Sequence, residues 1–474
     1  MKNVSVCVAC LLLLGMAGAP STVHAQPSEG SRVLSAGEKL ARDIFKELIE
    51  IKTTVNIGST RAAEAMAARL KAAGFPERDV QLLGPSAQHM NLVARYRGKG
   101  TLRPVLFISH LDVVEALRED WSVDPFVFLE KEGYFYGRGT TDVKDEDADL
   151  IAAVIRLKAE GFVPNRDIIV ALTEDEEGGP ANGVEWLLAN HRELIDAEFC
   201  INPDGGGGDI KNGRHIVMDV QTSEKIYCDI QLEVTNKGGH SSLPVRENAI
   251  YRLAGALTRL SRFDFPVRFN ETTRNFFERT ASRETGQTRS DMLAILGTPP
   301  DSGAVRRLAE SSAYYNALMR TTCVATMLTA GHAENALPQS ARANINCRML
   351  PEDTLDRVIT LLKSAVADSQ VAVKLLHASS VAPTSPLRSD VMRPLEKVTA
   401  SLWPEVLVLP VMSTGGTDGK PLRKSGIPVY GVSGMFTDVD DVRAHGRDER
   451  LGVKEFYEGI EFLYRFMKAL TSGS

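Results

Sequence analysis

Six side chains able to bind metal or move protons are spread along this 474-residue chain: His110, Asp142, Glu176, Glu177, Asp204 and His445. The densest stretch is Glu174-Asp175-Glu176-Glu177. These acids follow the apolar run Ile168-Ile169-Val170-Ala171-Leu172 and Thr173, and Gly178 and Gly179 come after them. Adjacent carboxylates repel one another unless some are neutralised. A solvated acidic loop satisfies that requirement, and so does a bound cation. Imidazole and carboxylate ligands without thiolate suit zinc, or less selectively manganese or cobalt. The set holds more ligands than one tetrahedral ion needs, which suggests two ions sharing a bridging carboxylate, about 3.5–4 Å apart. Taken singly, each residue has an ordinary reading. His110 fits a hydrogen-bonded core histidine, Asp142 a helix cap, Asp204 a turn before four glycines, and His445 a surface histidine. Their occurrence together and in this order favours the metal.

Positioning these residues requires a sheet whose strands end on one edge. Strand-like runs lie at Asn91 to Tyr96, Val105 to Ile108 and Ile168 to Leu172, and Ile201 leads directly into Asn202-Pro203-Asp204. Helical patterns fall between them, at Ala36 to Ile51, Ser59 to Ala73, Glu146 to Ala159 and Val184 to His191. Alternating strands and helices predict an α/β fold with a mostly parallel sheet flanked by helices, and such sheets carry their chemistry at the carboxyl ends of the strands. From about Lys225 the texture changes. Ile226 to Thr235 alternates like a half-exposed antiparallel strand. A helix over Asn248 to Leu260, strands over Thr322 to Leu328, Ala341 to Arg348 and Val371 to Leu376, and a helix over Leu355 to Ala367 follow. Phe265 to Leu318 reads as a polar insertion with helical fragments. Helix Val391 to Leu402, strand Val406 to Pro410 and helix Val453 to Leu470 restore the α/β texture. One α/β domain, 26–222 and 388–474, is therefore expected to be interrupted by a smaller α+β domain, 223–387.

The bulk properties narrow the class. Hydrophobic content of 43% and charged content of 24% are globular values, and a net charge of −6 with interspersed signs excludes a nucleic-acid partner as the expectation. Lys2, the apolar run Val4 to Met16 and Ser21-Thr22-Val23-His24-Ala25 form a signal-peptide pattern, cleaved after Ala25. Export to the periplasm or medium with no stable membrane anchor is the expectation, and an uncleaved anchor is the alternative. Cleavage leaves Cys200, Cys228, Cys323 and Cys347, with no CxxC for a sulfur-ligated zinc. Buried free thiols are preferred over disulfides.

The motif order His110-Leu-Asp112, Gly137-Arg-Gly-Thr-Thr-Asp142-Val-Lys144, Asp175-Glu176-Glu177, Asp204, Gly239-His240 and His445-Gly resembles the two-zinc exopeptidases of clan MH. The branch is that of glutamate carboxypeptidase, aminoacylase, succinyl-diaminopimelate desuccinylase and carboxypeptidase S. The layout is closest to the carboxypeptidase S and N-acyl-amino-acid hydrolase subgroup. The resemblance implies that His110, Asp142 and Asp204 hold one Zn2+, and that Asp142, Glu177 and His445 hold the other, with Co2+ or Mn2+ as substitutes. Asp112 would hydrogen-bond the far nitrogen of His110. Glu176 would be the general base, taking a proton from a metal-bridging water and passing it to the leaving amine. The interrupting domain would be the family's lid. His240 would face the oxyanion, Asn335 of Asn335-Ala-Leu-Pro338 would contact substrate, and Arg348 would bind its carboxylate above Gly415 and Gly416. In much of the family the lid pairs two subunits, but an enlarged lid can stand in for the partner. Both a homodimer through the lid and a monomer are therefore open, and with them His240 acting across to a partner or within its own chain.

Two positions depart from the family pattern. Asp145, where glycine is usual, opens an acidic run with Glu146 and Asp147 that either tunes a helix start or is solvated. Asn346 stands where an Asp-x-Arg pattern is common, which leaves the setting of Arg348 open. The implied function is an exported hydrolase that cleaves an amide bond beside a free carboxylate, in a small peptide or an N-acyl amino acid. The alternatives are an aminopeptidase of the same clan and a noncatalytic scaffold that kept the fold.

Overall fold

Leu106 and Ile108 point to one side of a sheet while Val105 and Phe107 point to the other, and each pair enters a separate apolar core. The same division holds in the neighbouring strand. Ile168, Val170 and Leu172 join the first core, and Ile169 and Ala171 the second. A period of two residues distributes a continuous apolar run between both faces. All six residues of Ile168–Thr173 are buried for that reason. The computed structural model describes residues 33–378 and 380–472. The expected signal segment, 1–25, lies outside the described residues.

The chain forms two compact units. The first comprises residues up to Gln221 together with Pro386–Leu409 and Thr417 onward. Its main sheet runs in the order Val80–Leu83, Asn91–Tyr96, Ile168–Thr173, Val105–His110, Phe199–Ile201, Val429–Tyr430. The last four strands pair in parallel, and the first two add antiparallel at one edge. Helices Ala36–Glu50, Lys144–Ala159 and Val453–Thr471 pack together against the first core. The first of them starts at a capping box: Ser35 accepts from the Glu38 N–H while Glu38 returns to the Ser35 N–H. A second, smaller sheet pairs Gly207–Lys211 antiparallel with the strand from Arg214 and parallel with Phe436–Asp438. Of the four glycines after Asp204, Gly207 and Gly208 stand in a strand. Close approach is the reason, since a Cβ on Gly208 would fall 2.2 Å from the Phe436 ring.

The second unit comprises Thr222–Ser385 and Pro410–Gly416. Its antiparallel sheet runs Thr322–Ala330, Ser340–Met349, Ile226–Thr235, Ala372–Ala378. Burial alternates along Ser340–Met349, and helices Ala249–Leu260 and Leu355–Val366 contribute to the core on the covered face. The insertion folds as helices Glu271–Ala281, Gly286–Ala294, Ser302–Ser311 and Ala313–Met319. Phe276, Phe277, Met292, Leu308 and Leu318 are buried within it. The preference for free thiols is corrected in part. Cys323 and Cys347 sit directly opposite on paired strands and form a disulfide. Cys200 and Cys228 are buried free thiols. Among the described residues no helix is long and apolar enough to cross a membrane.

Candidate metal centre

The strand register brings the candidate ligands together. His110 ends its strand directly beside Thr173, so the acids after Thr173 emerge next to the imidazole. Asp204 follows the end of the next strand through Asn202 and Pro203. Asp142 precedes helix Lys144–Ala159, and His445 occupies a left-handed position, φ 61°. His110 Nε2 lies 3.3 Å from Asp142 Oδ1 and 3.9 Å from Asp204 Oδ1. His445 Nε2 lies 2.9 Å from Asp142 Oδ2 and 2.5 Å from Glu177 Oε1. Asp142 thus presents one oxygen to each histidine. Ligand atoms about 2.0–2.1 Å from a tetrahedral ion are about 3.3 Å apart, so this spacing suits shared coordination. Both Asp142 oxygens and Oδ2 of Asp204 are buried without an aligned hydrogen-bond donor. Buried carboxylate oxygens rarely remain so, and the donor set fits divalent ions.

Electrostatics agree with that reading. Burial alone would raise the Asp142 carboxyl, but His110 and His445 outweigh it and hold the group far below the usual range. His445 is pushed up to about 10 by its contacts with Asp142 and Glu177. Burial, reinforced by Asp142 and Asp418, pushes Asp204 up to about 7. Burial and Asp204 raise Glu176 well above the ordinary glutamate value.

Asp112 differs from its expected contact. Nδ1 of His110 meets the backbone carbonyl of Asp112 at 3.0 Å, and the carboxylate stands off at 3.6 Å. That carboxylate accepts instead from the N–H groups of Glu176, at 3.1 Å, and Glu177, at 3.0 Å. Two partly buried amide donors past the strand end have no ladder partner, and they take the carboxylate. Asp418 is likewise engaged with structure: it accepts from Thr173 Oγ1 at 3.0 Å and Asn182 Nδ2 at 2.5 Å.

In the second unit, Gly239–His240 pairs with Ala336–Leu337, which sets His240 beside Asn335. His240 is exposed, and its Nδ1 accepts from the Ser242 N–H at 3.1 Å. An accepting Nδ1 leaves the proton on Nε2 in the neutral ring. Arg348 lies 4.8 Å over the Tyr227 ring and donates to the Thr414 carbonyl at 3.2 Å, beside Gly415 and Gly416. The carboxylate that Asn346 lacks is supplied across the strand pair. Asp229 faces Asn346 in register and accepts from it at 3.0 Å.

The profile of peptidase family M20/M25/M40 matches residues 106–469. The chain belongs to that family. It is 30% identical over 377 residues to the N-fatty-acyl-amino acid synthase/hydrolase of Homo sapiens, across 78% of this chain and 74% of the relative. It is 25% identical over 451 residues to aminoacylase-1 of Sus scrofa, across 92% and 96%. Among solved structures, an M20 family metallo-carboxypeptidase of Sulfolobus solfataricus shares the fold, with TM-score 0.64 and 18% identity over 91% of this chain and 99% of that one. The protein is a metallohydrolase.

In this M20 chain several residues near the centre make contacts that the sequence does not indicate. The Lys144 ammonium is fully buried and donates to the carbonyls of Leu48, at 2.8 Å, and Ile51, at 2.7 Å, which caps the end of helix Ala36–Glu50. His89 Nδ1 lies 2.7 Å from Glu174 Oε2 and 3.2 Å from Asp175 Oδ2, forming a buried cluster behind the acidic loop. The acidic run is not solvated. Asp145, Glu146 and Asp147 are all buried in the first turn of helix Lys144–Ala159, and burial raises the pKa of each. Glu146 accepts from Ser433 Oγ, and burial raises it to about 8. Arg138 and Glu449 meet near the centre although 311 positions separate them.

Proposed function

We propose that the protein is an exported di-zinc hydrolase that cleaves the amide bond next to a free carboxylate. The observation that carries this reading is Asp142, whose two oxygens face His110 and His445 and have no aligned donor. His110, Asp142 and Asp204 would hold one ion, and Asp142, Glu177 and His445 the other. Bound zinc polarises a carbonyl and lowers the pKa of water. Glu176 then takes the proton of the attacking water and delivers it to the leaving amine. His240 offers its Nε2 proton to the developing oxyanion. The Arg348 guanidinium, braced by Tyr227, pairs with the substrate carboxylate, and Asn335, Gly415 and Gly416 complete the substrate contacts. The likeness to an N-fatty-acyl-amino acid synthase/hydrolase and to an aminoacylase supports N-acyl amino acids as the substrate class, with small peptides as the same chemistry on another acyl side. A homodimer through the second unit belongs to the same reading.

The test is metal content by mass spectrometry beside hydrolysis of N-acyl amino acids, dipeptides and their C-terminal amides. About two zincs per chain, with activity lost on chelation and on amidation of the substrate, is the expected result. Turnover of the amides at undiminished rate overturns the carboxylate requirement.

A further inference from the structure

We infer that Arg138 and Glu449 form a buried clamp that fixes Asp142 against His445, which makes them positioning residues for the ion these two ligands share. The inference rests on the proposed ligand set. Asp142 and His445 come from distant parts of the chain and must meet to within a few tenths of an ångström to coordinate together. Neither has a neighbour in its own element that could set the distance. Asp142 follows the loop 137–141, and His445 lies within the loop 439–449.

Glu449 is fully buried, and all the contacts of its carboxylate lie on the loop before Asp142. Oε2 accepts from Arg138 Nη1 at 2.5 Å and from the Gly139 N–H at 3.2 Å. Oε1 accepts from the Thr141 N–H at 2.8 Å and from Thr141 Oγ1 at 3.1 Å. Thr141 is the residue immediately before the bridging carboxylate, so this grip acts one peptide away from it. The backbone adds another link, from the Gly137 N–H to the Glu449 carbonyl at 3.2 Å. Arg138 closes the circuit in the opposite direction. Its Nη2 donates to the Gly446 carbonyl at 3.0 Å, one peptide from His445, and its guanidinium lies 5.0 Å from the Trp121 ring. Each loop therefore holds the other at the residue next to its ligand. The Gly446 N–H bonds to the Arg443 carbonyl at 2.8 Å, which tightens the turn that presents His445.

A buried ion pair of this kind is weak evidence for stability, because desolvation offsets the attraction, and geometry is the more economical reason for it. The separate grip on each side predicts a selective effect. Loosening the clamp weakens the ion shared by Asp142, Glu177 and His445 more than the ion held by His110, Asp142 and Asp204.

The test is zinc affinity of the purified full-length chain by competition with a chromophoric chelator, in wild type, E449A, E449Q, T141V and the reference variants H445A and H110A. The wild type is expected to bind two zincs. E449A should weaken one of them about 10- to 100-fold, matching the ion weakened in H445A and not that in H110A. E449Q and T141V retain part of the contact set, so they should weaken the same ion by less. A double variant H445A/E449A should bind its remaining zinc as H445A does. If E449A does not fold, the selective loss in E449Q and T141V decides the matter. Two zincs bound by every Glu449 and Thr141 variant as tightly as by wild type overturn the clamp alone. A wild type that binds no zinc overturns the ligand set and the clamp together.

Discussion

Asp112 holds the backbone of Glu177. Its Oδ2 accepts the Glu177 N–H at 3.0 Å, while Oδ1 accepts that of Glu176 at 3.1 Å. One strand extension thus carries the first histidine and also ties down the loop bearing the proposed base and a proposed ligand. Adjacent acids can serve different purposes only if the peptide between them cannot rotate. The carboxylate of Asp112 removes that freedom.

Asp112→Ala removes the acceptors of two partly buried N–H groups, at a cost of at most about 1–3 kcal/mol each. We expect a lower melting temperature and a ~10–100-fold loss of zinc affinity. Asp112→Asn keeps one acceptor oxygen and should lie between Ala and wild type. Thermal melts and zinc titrations of the three proteins check this ordering. Equal affinities for wild type and Asp112→Ala would show that the loop keeps its shape unaided.

Glu176→Ala should lower kcat by about 10²–10⁴-fold while metal content stays at the wild-type value, because a general base moves protons without coordinating. Turnover and metal analysis on the same preparation separate the two effects. Unchanged turnover would remove Glu176 from the chemistry, and loss of metal would make it a ligand.

Arg348→Ala should raise KM for carboxylate-bearing substrates about 10–100-fold, the scale of a hydrogen bond to a charged group. The Tyr227 ring beneath the guanidinium fixes a planar fork. Arg348→Lys should therefore recover little of the loss. Steady-state kinetics on an acid substrate and its amide give the comparison, and an unchanged KM in Arg348→Ala would exclude the arginine from the site.

Three parts of the proposed ligand set could be picked out because they stand at the end of a pattern. An apolar run stops at His110, another stops before the four acids, and a third stops before Asp204. Parallel strands place such ends on one edge, whatever lies between them in the chain. Contacts between residues without periodic context were not legible. Arg138 sits in a glycine turn and Glu449 in a polar loop, and only the folded chain brings them together. The family resemblance implied an Asp112 carboxylate on the His110 ring, but the backbone carbonyl of Asp112 is the nearer acceptor. The disulfide was missed for a related reason: cross-strand register between Thr322–Ala330 and Ser340–Met349 decides that Cys323 faces Cys347. The sequence leaves the acidic run after Lys144 open between a helix start and a solvated stretch, because it offers no sign that a whole helix start is buried.

Lys225 provides a pH test in the second unit, apart from the proposed ligands. Its buried ammonium donates to the Arg320 carbonyl at 2.8 Å and Thr322 Oγ1 at 3.3 Å. Burial first, with Arg348 adding to it, lowers its pKa from 10.5 to about 7. Between those values the unfolded chain holds a proton that the folded chain has released, so stability contributed by this group rises with pH across that window. Below about pH 7 the folded state carries the buried charge and its full cost, and above 10.5 the difference is gone. Lys225→Met keeps the volume and removes the titration. Urea melts of both proteins at steps from pH 7 to 9.5 should show wild type gaining on the variant, by at most about 1.4 kcal/mol per pH unit. Stability differences that stay constant over that range would mean that Lys225 titrates as an ordinary exposed lysine.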